Sequence, residues 1–137
     1  AKVFDLLAAL LEWNDLTLSA PTAASISAKD QEAMQSLKHF LLQNYSTKVD
    51  LQRLAQMCYM SKSKLTYLFR MLYGTTIYEF ILACRIDRAK ELLADREKKI
   101  SEIAALVGYE RQSSFSAAFH QKTGITPNEF RRQFWNK

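Results

Sequence analysis

The sequence predicts an all-α chain: two helix-turn-helix units joined by a long linker helix, with an extra helix at the N-terminus. Three observations lead there. Gly and Pro are scarce, three and two in 137 residues, so little interrupts a helical chain. Apolar residues then recur at i, i+3, i+4 and i+7, the spacing of one buried helical stripe: Ile100, Ile103, Ala104 and Val107 run up to Gly108, and Phe115, Ala118 and Phe119 start a second short helix. Glycine there can take the left-handed conformation that ends a helix, and two short helices on a tight turn are the sequence form of a helix-turn-helix. Finally, the pattern occurs twice. Leu51, Leu54, Ala55 and Cys58 match the first stripe 49 residues earlier, while Leu65, Leu68, Phe69 and Gly74 match Phe115, Ala118, Phe119 and Gly124 50 residues earlier. One extra residue in the second turn accounts for the changed offset.

The elements follow in order. Residues 2–18 carry an apolar stripe from Val3, Leu6, Leu7, Leu10 and Leu11 and read as a helix; residues 19–28 are a Ser/Ala/Pro linker. Residues 1–28 are therefore expected to be a helix and linker left from a preceding regulatory domain, a dimerisation or docking element, or a helix folded back on the rest. Residues 29–137 form the repeated domain, with units at about 50–75 and 100–124. Ser27 followed by Asp30 marks a helix start, and this helix continues to about Tyr45 with Met34, Leu37, Leu41 and Leu42 inward. His39 on it has no partner at metal spacing and reads as a surface histidine.

Two T-x-x-E boxes, Thr76 with Glu79 and Thr126 with Glu129, each open a further helix, the second with Pro127 at its first position. Ile77 to about Leu93 is one continuous helix, with Phe80, Ile81, Cys84, Ala89, Leu92 and Leu93 inward and Arg85, Asp87, Arg88, Lys90 and Glu91 mostly outward. Such a helix spans about 25 Å. Successive major-groove faces on one side of B-DNA recur about every 34 Å, so two units on this spacer can address adjacent turns of one duplex.

Composition bounds the function. With 48% hydrophobic and 24% charged residues the chain reads as globular, and its longest early apolar cluster, Leu6 to Leu11, is far too short to span a bilayer. A cytoplasmic protein with no membrane partner is expected. Cys58 and Cys84 lie 26 residues apart without a CxxC or a nearby His, so the sequence calls for no disulfide, no zinc and no other metal site, only buried thiols on core stripes. Residues 1–50 hold four Lys/Arg against six Asp/Glu, net −2; residues 51–137 hold fifteen against eight, net +7. A basic second part attracts a polyanion.

At these residues the chain resembles the DNA-binding domain of the AraC/XylS family of bacterial transcription regulators. The likeness covers about residues 33–134. It is most specific in I-x-x-I-A-x-x-V-G-Y…F-S-x-x-F-x-x-x-x-G-x-T-P-x-x-F-R from Ile100 to Arg131, and the linker pattern from Phe80 through Arg85 and Ala89 to Leu92 and Leu93 fits too. The resemblance implies seven helices with two helix-turn-helix units and activation of promoters by binding double-stranded DNA near RNA polymerase. RNA polymerase is then a second candidate partner, and dimerisation would run through a preceding N-terminal domain.

Carried over by position, the resemblance puts the first recognition helix at Lys62 to about Leu72 and the second at about Gln112 to Lys122. In the first, Ser61 is the N-cap and Lys62, Ser63, Thr66, Tyr67 and Arg70 lie on the face left by Leu65, Leu68, Phe69 and Leu72. Thr66 and Tyr67 suit base edges, and Lys62, Lys64 and Arg70 suit phosphate. In the second, Gln112, Ser113, Ser116 and Ala117 face the groove, with Arg111, His120, Gln121 and Lys122 around them. Gln112 can read adenine with two hydrogen bonds, whereas the serines and Ala117 offer little direct readout. Helix N-termini at Thr76 and Thr126 are candidate phosphate contacts besides being caps.

Two positions depart from the pattern. Tyr59 stands where the second unit has Gly108, so either the first turn is remodelled or a tyrosine adopts a left-handed conformation. Arg111 replaces the small polar cap expected before the second recognition helix. An enzyme is not expected: the sequence has no nucleophile elbow, P-loop, dinucleotide fingerprint or metal-ligand cluster, and no cofactor is implied. A methyl-accepting cysteine would have to be Cys58 or Cys84, both on core stripes. The remaining alternative is a module that docks on RNA polymerase or another protein without a DNA preference of its own.

Overall fold

A computed structural model describes residues 26–135. The helix expected over 2–18 lies outside the described residues, as does most of the linker after it. Contacts along the chain separate residues 1–31 from 32–137, and both helix-turn-helix units belong to the second set. Among the described residues there are seven helices and no strand: α1 (Ala28–Asn44), α2 (Leu51–Met57), α3 (Lys62–Tyr73), α4 (Ile77–Leu93), α5 (Ile100–Leu106), α6 (Gln112–Thr123) and α7 (Pro127–Trp135).

Helix α1 starts where Ser27 Oγ accepts from the Asp30 N–H at 3.1 Å. Its buried residues are Met34, Leu37 and Leu41; Leu42, expected inward, is 45% exposed. One residue further round the helix is about 100° away, which carries Leu42 off a stripe only three residues wide.

The repeat is exact enough to be read in dihedral angles. Cys58 and Val107 end α2 and α5 with the same φ of −93° and ψ of 2°. Next come Tyr59 at φ 55° and Gly108 at φ 108°, and the N–H after each reaches back into its helix, Met60 to the Ala55 carbonyl (3.0 Å) and Tyr109 to the Ala104 carbonyl (2.9 Å). The first turn is therefore not remodelled: Tyr59 takes the left-handed conformation itself. Its side chain is 96% exposed and meets no steric obstacle that would forbid the fold. Further on, Phe69 packs edge-on against Phe80 at 5.7 Å and 76°, and Phe119 packs against Phe130 at the same distance and angle.

Helix α4 serves both units. It packs on α3 through Phe80, and further along on α5, α6 and α7. Ile86, Ala89 and Leu93 of α4 join Ile103, Ala104, Val107, Phe115 and Phe119 in one buried cluster, edged by Leu82, Leu92, Ile100, Tyr109 and Phe130. In the first unit Leu54, Ala55, Leu65, Leu68 and Phe69 are buried, as are Ile77 and Ile81 at the start of α4. Ile86 was absent from the expected inward set, and Arg85, expected outward, is half-buried. Its guanidinium turns back along the domain: Nε donates to the Tyr45 carbonyl at 2.7 Å and an Nη to the Thr47 carbonyl at 3.1 Å. Arg131 of α7 does the same for the second unit, donating to the carbonyls of Leu93, Asp95 and Lys98. In each case an arginine from the helix after a unit holds the loop before it, supplying donors to carbonyls that no helix satisfies.

Both T-x-x-E boxes form. Thr76 Oγ accepts from the Glu79 N–H at 3.1 Å while the Glu79 carboxylate accepts from the Thr76 N–H at 3.2 Å; Thr126 and Glu129 repeat this at 3.1 and 2.8 Å. The backbone N–H of the threonine, then its hydroxyl, holds each glutamate below its usual carboxyl value. A carboxyl whose folded value is depressed stabilises the fold above its unfolded value, and that contribution disappears as pH falls through the folded value. The double variant Glu79→Gln/Glu129→Gln is thus expected to melt below the unaltered chain at pH 7, with the gap closing toward pH 3. Thermal melts across that range check it, and a gap that persists in acid would remove the carboxylates as its cause.

Candidate nucleic-acid interface

Each recognition helix has one buried edge and one open face. In α3, Leu65, Leu68 and Phe69 are buried, at i, i+3 and i+4. That leaves Lys62, Ser63, Lys64, Thr66, Tyr67 and Arg70 exposed. Ser61 starts the helix at the expected residue, its Oγ accepting from the Lys64 N–H at 3.1 Å. Gly74, at φ 71°, ends it. Partial burial pushes the Tyr67 phenol up from its ordinary value, and the hydroxyl can both donate and accept a hydrogen bond.

In α6, Phe115 and Phe119 are the buried pair. Arg111, Gln112, Ser113, Ala117, His120 and Gln121 are exposed, and Ser116 is half-buried. The helix begins at Gln112, and Arg111 is its N-cap residue without a side-chain bond to the first turn. Gln112 therefore stands at the very tip of the helix. Ser114, which helical spacing from Gln112 and Ser116 left aside, is exposed as well. In α6, as in α3, the three residues ahead of the first buried position are all exposed. That end effect is the signal that could have found Ser114 in the sequence.

Thr76 and Thr126 stand where expected, but the N–H each could offer to a phosphate is already taken by its own glutamate. In the free chain they are caps, and a phosphate at either helix N-terminus would draw on the other N–H groups of the first turn. Between the two units runs an open groove of about 860 Å³ whose walls include Lys48, Tyr78, Arg85, Gly108, Arg111 and Ser114. Lys48 and Tyr78 were not singled out in the sequence. Both are exposed.

A helix-turn-helix domain family profile matches residues 54–133, more than half of the chain. An AraC-type DNA-binding domain structure from Chromobacterium violaceum superposes with a TM-score of 0.67 at 26% identity, covering 78% of this chain and 96% of that one. The chain belongs to the AraC/XylS family. Among curated relatives, the probable transcriptional regulator LumQ of Photobacterium leiognathi is 31% identical over 119 residues, covering 83% of this chain and 48% of LumQ. The bifunctional transcriptional activator and DNA repair enzyme AdaA of Bacillus subtilis is 32% identical over 103 residues, covering 75% of this chain and 49% of AdaA. This AraC/XylS-family chain spans about half the length of these two relatives.

The AdaA likeness bears on Cys58 and Cys84. Both thiols are unpaired and half-buried rather than fully buried. Burial pushes each above its ordinary value, for Cys84 with a further push from Asp87. A nucleophilic cysteine needs the opposite shift, toward thiolate. Among the described residues no group of three or more His, Cys, Asp or Glu is placed to hold a metal ion, and no helix is long and apolar enough to cross a membrane.

Proposed function

We propose that this chain is a sequence-specific DNA-binding transcription regulator, an activator, whose α3 and α6 enter two successive major-groove segments of one duplex near a promoter. The observation that carries the reading is the duplicated geometry itself. Two recognition helices, each with one buried edge and an open polar face, are mounted on the single helix α4. Lys62, Lys64, Arg70 and Arg111 supply phosphate contacts; Thr66, Tyr67, Gln112, Ser113, Ser116 and Ala117 face the bases, with His120 and Gln121 beside them. The duplex itself is the partner read here, RNA polymerase a second one at the promoter, and the cytoplasm the compartment where both are met.

Selection of bound sites from a random DNA pool, followed by footprinting, tests this. Protection is expected over about two helical turns, with affinity falling steeply as salt rises. Gln112→Ala is expected to relax base choice at one position by about 1–3 kcal/mol, whereas Arg70→Ala weakens all sequences alike and lowers the salt slope by about one. Binding that ignores both sequence and salt would instead favour a protein-docking module.

A further inference from the structure

We propose that Arg85, the α1–α2 loop and the α5–α6 turn form a clamp that fixes the distance and rotation between the two recognition helices, making half-site spacing a specificity determinant. The proposal rests on the two-groove reading above, and Arg85 acts in it as a positioning residue.

Each unit is held on its stretch of α4 by apolar side chains, and such contacts are strong but not directional. Hydrogen bonds and backbone contact are directional. They occur together where the two units meet. The Arg85 fork joins α4 to the Tyr45 and Thr47 carbonyls, in the loop that leads into α2. Its guanidinium also lies over the Tyr109 ring at 5.0 Å, in the turn that leads into α6. The two loops touch directly as well: a Cβ on Gly108 would stand 2.7 Å from the Ser46 carbonyl oxygen and 3.0 Å from Arg85 Cζ. This contact bypasses the length of α4. Tyr109, three residues before the start of α6, in turn packs on the buried Phe115 of that helix at 5.8 Å, so the position of this ring is passed to α6.

The comparison between the repeats separates the clamp from general folding needs. Arg131 holds the loop before α5 as Arg85 holds the loop before α2, so one arginine per unit organises a loop. Arg85 in addition lies over an aromatic ring of the other unit. Likewise the turn at Tyr59 carries a large side chain out into solvent, while its counterpart at Gly108 has no room for a single carbon beyond Cα.

Two measurements test the clamp. Amide residual dipolar couplings from α2–α3 and from α5–α6 are expected to fit one alignment tensor in the unaltered chain. In Arg85→Ala, or in Tyr109→Leu if that variant folds better, they are expected to need two tensors of different magnitude. A single shared tensor in a folded variant would overturn the proposal without any reference to DNA. On the selected site, inserting one base pair moves the half-sites apart by about 3.4 Å and about 34°. This is expected to weaken the unaltered chain by about tenfold or more, a mismatch-sized loss, and the folded variant by less than about threefold. Equal losses would also overturn it. Absence of sequence-selective binding by the unaltered chain would refute the DNA reading instead, and the couplings would then decide the clamp alone.

Discussion

Replacing Phe119 by alanine is expected to destabilise the fold by about 3–5 kcal/mol, the usual cost of emptying a buried aromatic position. The ring is fully buried. It touches Phe115 at 5.9 Å and meets Phe130 edge-on at 5.7 Å, so its loss opens a void under α6 and removes two aromatic contacts at once. Ile86, Ala89 and Leu93 come from α4 and share the cluster, so the damage would spread into the helix that carries both units. Small domains hold only about 5–15 kcal/mol in total. Urea unfolding followed by far-UV circular dichroism checks the figure. Phe69→Ala in the first unit is expected to cost a similar amount, because its contact with Phe80 has the same geometry. A clear inequality between the two variants would show that the repeats bear load differently despite their shared architecture.

Gly108→Ala is expected to cost about 2–5 kcal/mol, combining an unfavourable positive φ with overpacking against backbone. The new carbon would lie 2.7 Å from the Ser46 carbonyl oxygen, and a carbonyl in a loop held by Arg85 has little freedom to retreat. Two controls separate the causes. Gly124 has a φ of 87° but nothing within 4 Å of an added carbon, so Gly124→Ala should show the conformational cost alone, about 1–2 kcal/mol. Tyr59→Gly relieves a left-handed tyrosine at the expense of a looser unfolded chain, and stability should change by no more than about 1 kcal/mol. If Gly108→Ala proved no worse than Gly124→Ala, the close approach of the two loops would carry no energetic weight.

The helices were legible because their causes are local. The stripe at Ile100, Ile103, Ala104 and Val107, the glycines at 74 and 124 and the T-x-x-E boxes each act within a few residues, and α3, α4 and α6 start at the residues expected. The open faces of α3 and α6 followed from the same periodicity, since what is not buried in a short surface helix is exposed. Leu42 marks the limit of that logic: an apolar residue beside the stripe was counted in it, and only the width of the facing surface decides. Arg85 and Arg131 lay beyond it altogether. Their partners stand about 40 residues away in the chain, and a charged residue on a helix gives no sign of whether it meets water or a loop carbonyl. The identity of Gly108 was visible as a helix stop. Its second reason, contact with Ser46, was not, because it arises only when both units are in place.

The unlike faces of the two recognition helices have a consequence for orientation. On the proposed reading, Thr66 and Tyr67 on one and Gln112, Ser113, Ser116 and Ala117 on the other would not favour the same bases. A sequence read by this pair would then have a left and a right end, and the protein would sit on it facing one way only. Every other surface, including the exposed Leu106 and Trp135, would then point to a fixed side along the promoter. Turning the site around on the DNA would aim those surfaces away from whatever they meet.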